Sequence, residues 1–278
     1  MHYVSKIDEA AAQTPQLYKG HSSGFRRAVY VERGMGSVHM GTGICYLDAN
    51  GVVEAHIHSF EESFYVLEGS VNVQIGEQVY LLSPGHYGLI STGVQHAFRN
   101  AGTEAARWLE MHAPQPRPLD YGRDTFFVGG AMPGTAQAPE NGTSLGHFDE
   151  AQLPVPGGPS QMEGFNPTTG VAIKMFVDRS FGTVHQSLFL IQYLPGAKID
   201  PHDHAFEESY YIVSGRVRAT ADGQVYDLGA GDVIWTGVGC IHSFENVGAE
   251  PVRWIETQAP LPPAKEVIRF ERDWSQYP

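Results

Sequence analysis

The feature that most constrains this chain is an internal repeat in which matching residues lie 146 positions apart without a gap. The repeat relates 24–114 to 170–260. The recurring pairs include His56 and His202, His58 and His204, Glu62 and Glu208, His96 and His242, Gly69 and Gly215, Gly85 and Gly231, Asn100 and Asn246, and Trp108 and Trp254. Solenoid repeats have periods of only about 20–50 residues, so this repeat indicates two copies of a whole domain. A length of 278 residues suits two domains.

The repeat also predicts how the remaining chain is divided. The link between the copies is rich in Pro, Gly and polar residues, which favours an irregular connection. We expect the unduplicated ends to wrap onto the domains or onto a partner subunit, as the aromatic residues of 270–274 suggest. The predicted segments are an N-terminal arm at 1–23, a first domain at 24–114, a linker at 115–169, a second domain at 170–260 and a tail at 261–278.

Each copy contains short runs of aromatic and β-branched residues that end in Gly, Pro or polar turns. Clear examples are 63–67, 71–75 and 79–82. Several short strands at regular spacing, without helical periodicity, are typical of a sandwich or a barrel. A jelly-roll barrel leaves few unpaired strand edges. The sequence therefore predicts an all-β fold of two tandem jelly-roll barrels, or double-stranded β-helices.

Charge and composition exclude several classes of partner. The net charge is −13, and Lys and Arg are scattered, so no basic surface for nucleic acid is expected. The first residues lack the apolar core of a signal peptide, and no apolar run approaches the roughly 18 residues of a membrane span. Only Cys45 and Cys240 occur, which favours reduced thiols over a disulfide framework. We expect a cytoplasmic protein that acts on a small molecule, without nucleic acid or membrane partners.

The repeated His and Glu residues have the spacing of metal ligands. His56 and His58, like their partners His202 and His204, are i, i+2 pairs, which a strand projects to one face. A Glu follows four residues after the second His, and a third His follows 34 residues after the Glu. Three imidazoles and one carboxylate suit Fe(II), Mn(II), Zn(II), Ni(II) or Co(II) and leave coordination positions open. We therefore expect two divalent transition-metal ions per chain.

This pattern resembles the cupin superfamily, in both copies. The first cupin motif matches His56, His58, Glu62 and Gly69, and again His202, His204, Glu208 and Gly215. The second motif matches Gly85, Gly93, His96 and Asn100, and again Gly231, Gly239, His242 and Asn246. Its usual proline is replaced by Ser91 and Gly237, a change in a turn and not in a ligand. The resemblance implies a two-barrel cupin, or bicupin, whose ligands are the six histidines and the two glutamates.

Other residues are candidates for lining a substrate pocket because they recur in both copies or differ between them. Each has a plainer interpretation: core packing for the aromatic residues and for Cys240, and ion pairs with Glu110 or Glu256 for the arginines. Alternation along the strand turns Glu61 and Glu207 away from the ligands, towards the surface or behind the site. No catalytic residue is assigned. The candidates are Tyr65, Phe98, Arg107, His112, Tyr211, Trp235, Cys240, Phe244 and Arg253.

Three functions fit this pattern. The first hypothesis is an O2-dependent Fe(II) dioxygenase of a keto, enol or catechol-like metabolite, since similar ligand sets occur in cupin dioxygenases such as quercetinases and diketone-cleaving enzymes. The second is a redox-neutral hydrolase or isomerase, because the layout is similar to ureidoglycine aminohydrolase, a manganese bicupin with different ligands. The third is a non-enzymatic metal- or ligand-binding cupin. Paired barrels of this kind also make a homodimer an expectation.

Overall fold

The structure is a computed structural model of the chain. It describes residues 1–100, 102–130, 132, 134–139, 144–159, 169–265 and 267–270. Of the aromatic tail singled out above, Phe270 is described and Trp274 lies outside the described residues.

Strands dominate the described part of the chain, and its helical elements are single 3-10 turns. The strands are β1 (His2–Lys6), β2 (Ser22–Val31), β3 (Gly41–His58), β4 (Glu61–Glu68), β5 (Val71–Ile75), β6 (Gln78–Leu82), β7 (His86–Ile90), β8 (His96–Arg99), β9 (Ala106–Ala113), β10 (Thr125–Phe127), β11 (Leu145–His147), β12 (Val171–Val177), β13 (Ser187–Tyr193), β14 (Lys198–Asp203), β15 (Glu207–Ser214), β16 (Arg216–Ala221), β17 (Gln224–Gly229), β18 (Asp232–Thr236), β19 (His242–Glu245), β20 (Val252–Ala259) and β21 (Arg269–Phe270). The 3-10 turns are Glu9–Ala11, Gln16–Tyr18, Arg33–Met35, Leu119–Tyr121, Glu150–Gln152 and Arg179–Phe181. No helix among the described residues has the length and apolar character to cross a membrane.

The strands curl into two barrels, which confirms the predicted tandem jelly-roll fold. In the first barrel, the strand order β11-β7-β4-β9-β3-β8-β5-β6 is continuous because the long strand β3 takes part in both walls. Its first half pairs with β9 and its second half with β8. In the second barrel the place of β3 is taken by two shorter strands, β13 and β14, which lie in separate sheets. The predicted strands at 63–67, 71–75 and 79–82 coincide with β4, β5 and β6.

The arm adds a strand to the second barrel, and the linker adds a strand to the first. β1 pairs antiparallel with β18 of the second barrel, whereas β11, from the linker, pairs with β7 of the first. Both added strands lead into a 3-10 turn capped by an aspartate, Asp8 or Asp149. The arm and the linker are therefore part of the duplication, and the linker is more ordered than its composition suggested. The predicted segment boundaries themselves stay a prediction.

Two buried carboxylates join the barrels, and they are the residues expected at the surface or behind the ligands. The Glu61 carboxylate accepts hydrogen bonds from the Thr183 hydroxyl at 2.6 Å and from the Val184 and His185 amides at 2.9 and 3.1 Å. Glu207 accepts the equivalent bonds from Ser37, Val38 and His39. Both side chains are nearly inaccessible to solvent. The surface position is therefore wrong: alternation turns these side chains out of their own barrel, but the other barrel covers them.

An apolar cluster fills the space between the barrels and is distinct from the core of each. It combines Tyr65, Tyr87 and Leu89 of the first barrel with Phe176 and Trp235 of the second. Phe176 stacks on Tyr87 with ring centroids 4.3 Å apart. Burial of large aromatic side chains from both halves stabilises the pair of barrels as one unit.

Candidate metal centres

Strand pairing brings the three histidines of each barrel together. In the first barrel, His56 and His58 end β3, and His96 begins β8 directly opposite His56. In the second barrel the same pairing sets His202 of β14 opposite His242 of β19. In each set of three histidines, one ring nitrogen per residue lies within 4.8 Å of the others. Both clusters are buried.

Hydrogen bonds to backbone carbonyls decide which ring nitrogen of each histidine is free. In the first barrel, Nδ1 of His56 lies 2.9 Å from the Glu54 carbonyl oxygen. Nδ1 of His58 lies 2.7 Å from the Phe60 carbonyl, and Nδ1 of His96 lies 2.9 Å from that of Val94. A carbonyl oxygen only accepts hydrogen bonds, so Nδ1 carries a proton and Nε2 is the nitrogen that faces the cluster. This tautomer is the one that a metal-binding imidazole needs.

Glu62 completes the donor set of the first barrel. Its Oε2 lies 3.2 Å from Nε2 of His58 and 3.7 Å from Nε2 of His96. Its Oε1 and Nε2 of His96 are buried without a hydrogen-bond partner among the described residues. A buried polar atom without a hydrogen bond lowers the stability of the fold unless it binds another group. The donors present therefore fit a divalent transition-metal ion.

Burial and neighbouring charges put these groups in the protonation states that a metal requires. Burial lowers the pKa of His56 to about 4 and that of His96 well below its usual value, so both imidazoles are neutral near pH 7. Burial opposes ionisation of Glu62, but hydrogen bonds from His112 and His58 outweigh it and hold the pKa of Glu62 well below its usual value. Neutral imidazoles and an ionised carboxylate are the ligand forms.

The second barrel repeats this arrangement, with differences in the hydrogen bonds to Glu208 and His204. Nδ1 of His202, His204 and His242 again lies 2.8–2.9 Å from a backbone carbonyl oxygen. Oε2 of Glu208 lies 3.1 Å from Nε2 of both His204 and His242. In addition, the Tyr210 hydroxyl donates a short hydrogen bond to Glu208 and lies 3.0 Å from Nε2 of His242. The first barrel has Phe64 at the position that matches Tyr210 in the repeat, so it has no such hydroxyl.

The cavities next to the two clusters differ strongly in volume. A cavity of about 630 Å³ reaches the first barrel, and its wall includes Tyr18, Arg27, Glu110 and His112. The Tyr18 hydroxyl lies 3.4 Å from Nε2 of His56, and Nε2 of His112 lies 3.6 Å from Oε2 of Glu62. The cavity at the second cluster measures only about 40 Å³ and has mainly apolar walls. Part of that wall comes from the tail, where β21 pairs with β14.

Glu110 lies between two basic side chains beside the first cluster. Its Oε1 is 2.8 Å from Arg27 Nε and 2.8 Å from Nε2 of His112, and its Oε2 accepts a hydrogen bond from the Cys45 thiol. Burial opposes ionisation, but His112 and Arg27 outweigh it and lower the pKa of Glu110 to about 2. The matching Glu256 forms no ion pair with a described residue, and burial with Glu208 nearby raises its pKa well above the usual value.

Most of the pocket candidates lie away from the histidine clusters. Tyr65, Tyr211 and Trp235 belong to the apolar cluster between the barrels. Phe98 packs in the first barrel core against Trp108, whereas Phe244 lines the small cavity of the second barrel. Arg107 pairs with Glu68 and Arg253 with Glu150, both at exposed positions, and not with Glu110 or Glu256. Cys240 is buried near Asp222 and His2, and only its carbonyl oxygen contacts a cluster histidine. The candidates that the fold brings to a cluster are His112 at the first and Phe244, in ring contact with His242, at the second.

Three residues near the clusters were not singled out from the sequence. Tyr210 could have been found, because the repeat pairs it with a phenylalanine. The repeat pairs Arg27 with Ile173, a difference as visible in the sequence as that at Tyr210. Nothing in the sequence, however, places the strand of Arg27 next to Glu110. Tyr18 precedes the repeat and carries no signal.

Comparison with known proteins agrees with the duplicated pattern. The model of the cupin domain family matches 43–112 and again 189–257, together half of the chain. A polyketide synthase, CurC, of Streptomyces cyaneus is 34% identical over 70 residues, which cover 25% of this chain and 46% of that protein, less than half its length.

Solved structures are similar over the whole chain. An oxalate decarboxylase from Bacillus subtilis superposes with a TM-score of 0.66 at 17% identity, covering 99% of this chain and 80% of that one. The formate complex of a Lactobacillus farciminis oxalate decarboxylase gives a TM-score of 0.69 at 15% identity, covering 99% and 90%. At such identities the likeness is one of fold.

Proposed function

Because the chain belongs to the cupin family, with a cupin domain in each half, we propose that it is a metal-dependent enzyme acting on a small polar metabolite. The observation that carries the proposal is the first barrel's set of converging Nε2 and carboxylate donors beside a cavity of about 630 Å³. A cavity of this size admits a small metabolite. The cavity of about 40 Å³ at the second cluster holds little more than water. We therefore assign turnover to the first barrel.

In this proposal His56, His58, His96 and Glu62 hold the metal ion. A divalent ion there would supply Lewis-acid polarisation of a substrate oxygen, or a redox centre if it is iron. The chain's own residues shape the space around it. Phe60 stacks on His58 with ring centroids 4.0 Å apart and also packs against His112 at 4.5 Å, which keeps both imidazoles in place and excludes water from that side.

The reaction that we propose first is an O2-dependent dioxygenation of a keto, enol or catechol-like substrate with Fe(II). Four protein donors are two fewer than an octahedral ion accepts, so one substrate oxygen and O2 would both have room. The second cluster, with its small cavity and its Tyr210 hydroxyl, then binds a metal that serves mainly stability.

A redox-neutral reaction is the second candidate, and a specific contact favours it. Nε2 of His112 lies 2.8 Å from Oε1 of Glu110 and 3.6 Å from Oε2 of Glu62, so the imidazole is held between two carboxylates. An imidazole that is oriented by a carboxylate is a suitable group for moving a proton to or from a substrate. Decarboxylation, hydrolysis and isomerisation all need such a transfer and consume no O2.

Oxygen uptake decides between these candidates. Protein purified without chelator is analysed for metal, loaded with Fe(II) or Mn(II), and assayed in air and under argon against diketones, catechols, keto acids and ureido compounds. Turnover with matching O2 consumption supports the dioxygenase, and equal turnover under argon supports the redox-neutral reaction. The double variants His56→Ala/His58→Ala and His202→Ala/His204→Ala form a matched pair. If only the second abolishes turnover, the assignment to the first barrel is wrong.

A further inference from the structure

We propose that Arg27 binds a carboxylate group of the substrate, so that the metabolite processed in the first barrel is a small organic anion. The inference rests on the proposed function, because it names the substrate class of the same site. It also makes Arg27 a specificity-determining residue on a strand that contributes no metal ligand.

The first argument is the hydrogen bonding of the guanidinium. Arg27 lies on β2 with its side chain only 13% exposed, and Nε lies 2.8 Å from Oε1 of Glu110. Nε and Nη2 are both buried and neither forms a hydrogen bond of good geometry among the described residues, so the contact with Glu110 is an ion pair. A buried, charged donor without an acceptor is costly, and a carboxylate is the acceptor whose geometry matches the planar fork of a guanidinium.

The second argument is position and charge. Arg27 lines the cavity together with Glu110 and His112, and His112 reaches to within 3.6 Å of Glu62. Glu110 offsets the charge of Arg27, so a divalent ion held by Glu62 would leave the inner end of the cavity positive. The outer part of the cavity adds no net positive charge, because Lys19 and Arg117 are balanced there by Glu32 and Asp124. A positive, poorly solvated inner wall favours an anionic substrate.

The third argument comes from the sister barrel, which serves as an internal control. It has Ile173 at the position of Arg27 and Gln258 at that of His112. It keeps a buried carboxyl group at Glu256, which accepts a hydrogen bond from Trp254 at 2.9 Å. The arginine therefore occurs in the barrel with the large cavity and is replaced by an apolar residue in the barrel whose cavity measures about 40 Å³.

The test is equilibrium binding to the metal-loaded protein. Oxalate and pyruvate are the probes, and oxamide and pyruvamide are their uncharged counterparts, each titrated calorimetrically against Mn(II)-loaded protein. The variants are Arg27→Gln and Arg27→Lys. Arg26→Gln is the matched control, because Arg26 is the next residue on the same strand and forms its ion pair with Asp48 at an exposed position.

We expect the anions to bind at least about tenfold more tightly than the amides, and Arg27→Gln to remove that preference without changing amide affinity. Arg27→Lys keeps the charge but loses the fork, so it should retain only part of the preference; it also replaces Arg27→Gln if that variant does not fold. Arg26→Gln should bind like the wild type. Equal affinity for anions and amides in the wild type, or full anion preference in both Arg27 variants, overturns the inference.

Failure of the proposed function gives a different result. If wild-type protein and His56→Ala/His58→Ala contain equal amounts of metal, the first barrel holds no ion. Selective anion binding by Arg27 would then stand as a binding property without the metal-dependent reaction.

Discussion

The chemistry of the two histidine clusters depends on the ring nitrogen that points away from each centre. In all six rings Nδ1 lies 2.7–2.9 Å from a backbone carbonyl oxygen. The protein thereby fixes tautomer and ring orientation before any ligand binds, which lowers the entropic cost of ligation. Five of these six carbonyls are two residues from their histidine, so local backbone geometry and not distant packing supplies most of this control.

Metal content provides the direct test at this scale. Replacing His202 and His204 by alanine leaves two donors in the second barrel, and we expect close to one metal ion per chain to be lost. His56→Ala/His58→Ala should cause an equal loss from the first barrel. Elemental analysis of the purified variants measures both. Unchanged metal content in either variant would contradict the ligand assignment of that barrel.

The two cysteines give a second residue-scale prediction. Both are free and buried, and burial raises the pKa of Cys240 to about 12 and that of Cys45 well above its usual value. Since the thiolate is the reactive form, the native protein should react very slowly with a disulfide reagent at pH 8, and the unfolded protein quickly. Absorbance of the released thiol gives both rates. Rapid labelling of the native protein would show that a thiol is accessible.

At the scale of elements, the loops before β3 and β13 are held by the opposite barrel through Glu207 and Glu61. Each carboxylate accepts one hydroxyl and two amide hydrogen bonds from three consecutive residues. Such bonds to a charged acceptor are among the stronger hydrogen bonds in proteins. The two contacts are related by the repeat. The same joint between the barrels, a carboxylate of one bound to a loop of the other, therefore occurs twice.

Glu207→Gln should therefore lower the free energy of unfolding by about 1–3 kcal/mol, because the amide offers one acceptor oxygen and places a buried NH2 group against donors. Glu61→Gln should have a similar effect. Glu77→Gln, at an exposed turn, is the control. Denaturant titration followed by tryptophan fluorescence measures the change. A loss no larger than that of the control would show that the carboxylates do not stabilise the joint.

At the scale of the whole molecule, the barrels are tied by an exchange of strands. β1 precedes the first barrel yet extends the sheet of the second, and β11 precedes the second yet extends the sheet of the first. Each barrel thus depends on a segment that is close in sequence to the other. The predicted homodimer and cytoplasmic location stay predictions.

Removing residues 2–7 should consequently affect the distant barrel. The deletion uncovers the edge of β18, which β1 otherwise covers through five residue pairs from His2 to Lys6. We expect faster amide hydrogen exchange at 232–236 and little change in β7, which is covered by β11. Mass spectrometry of peptic fragments resolves the two strands. Faster exchange confined to the first barrel would contradict the exchanged topology.

Several features could be predicted from particular residues. The run 71–75 alternates and ends at a glycine, and it forms β5 with those bounds. The HxH pairs share a face because side chains on a strand have a period of two. Asp8-Glu9-Ala10 and Asp149-Glu150-Ala151 also match, but at an offset of 141, so the single offset of 146 does not include the duplication of the arm.

The sequence by itself determined the duplication, the all-β barrels and which histidines and glutamates converge, because these depend on spacing along the chain and on the two-residue period of a strand. Only the tertiary structure decided that a large cavity lies beside the first cluster, that Arg27 lies beside Glu110, and that Glu61 and Glu207 join the barrels. Those facts depend on which strands pack together over separations of more than 80 residues. No local sequence pattern predicts such contacts. A side chain that points out of its own barrel is predicted to be exposed, because the sequence does not show which residues of the other barrel cover it.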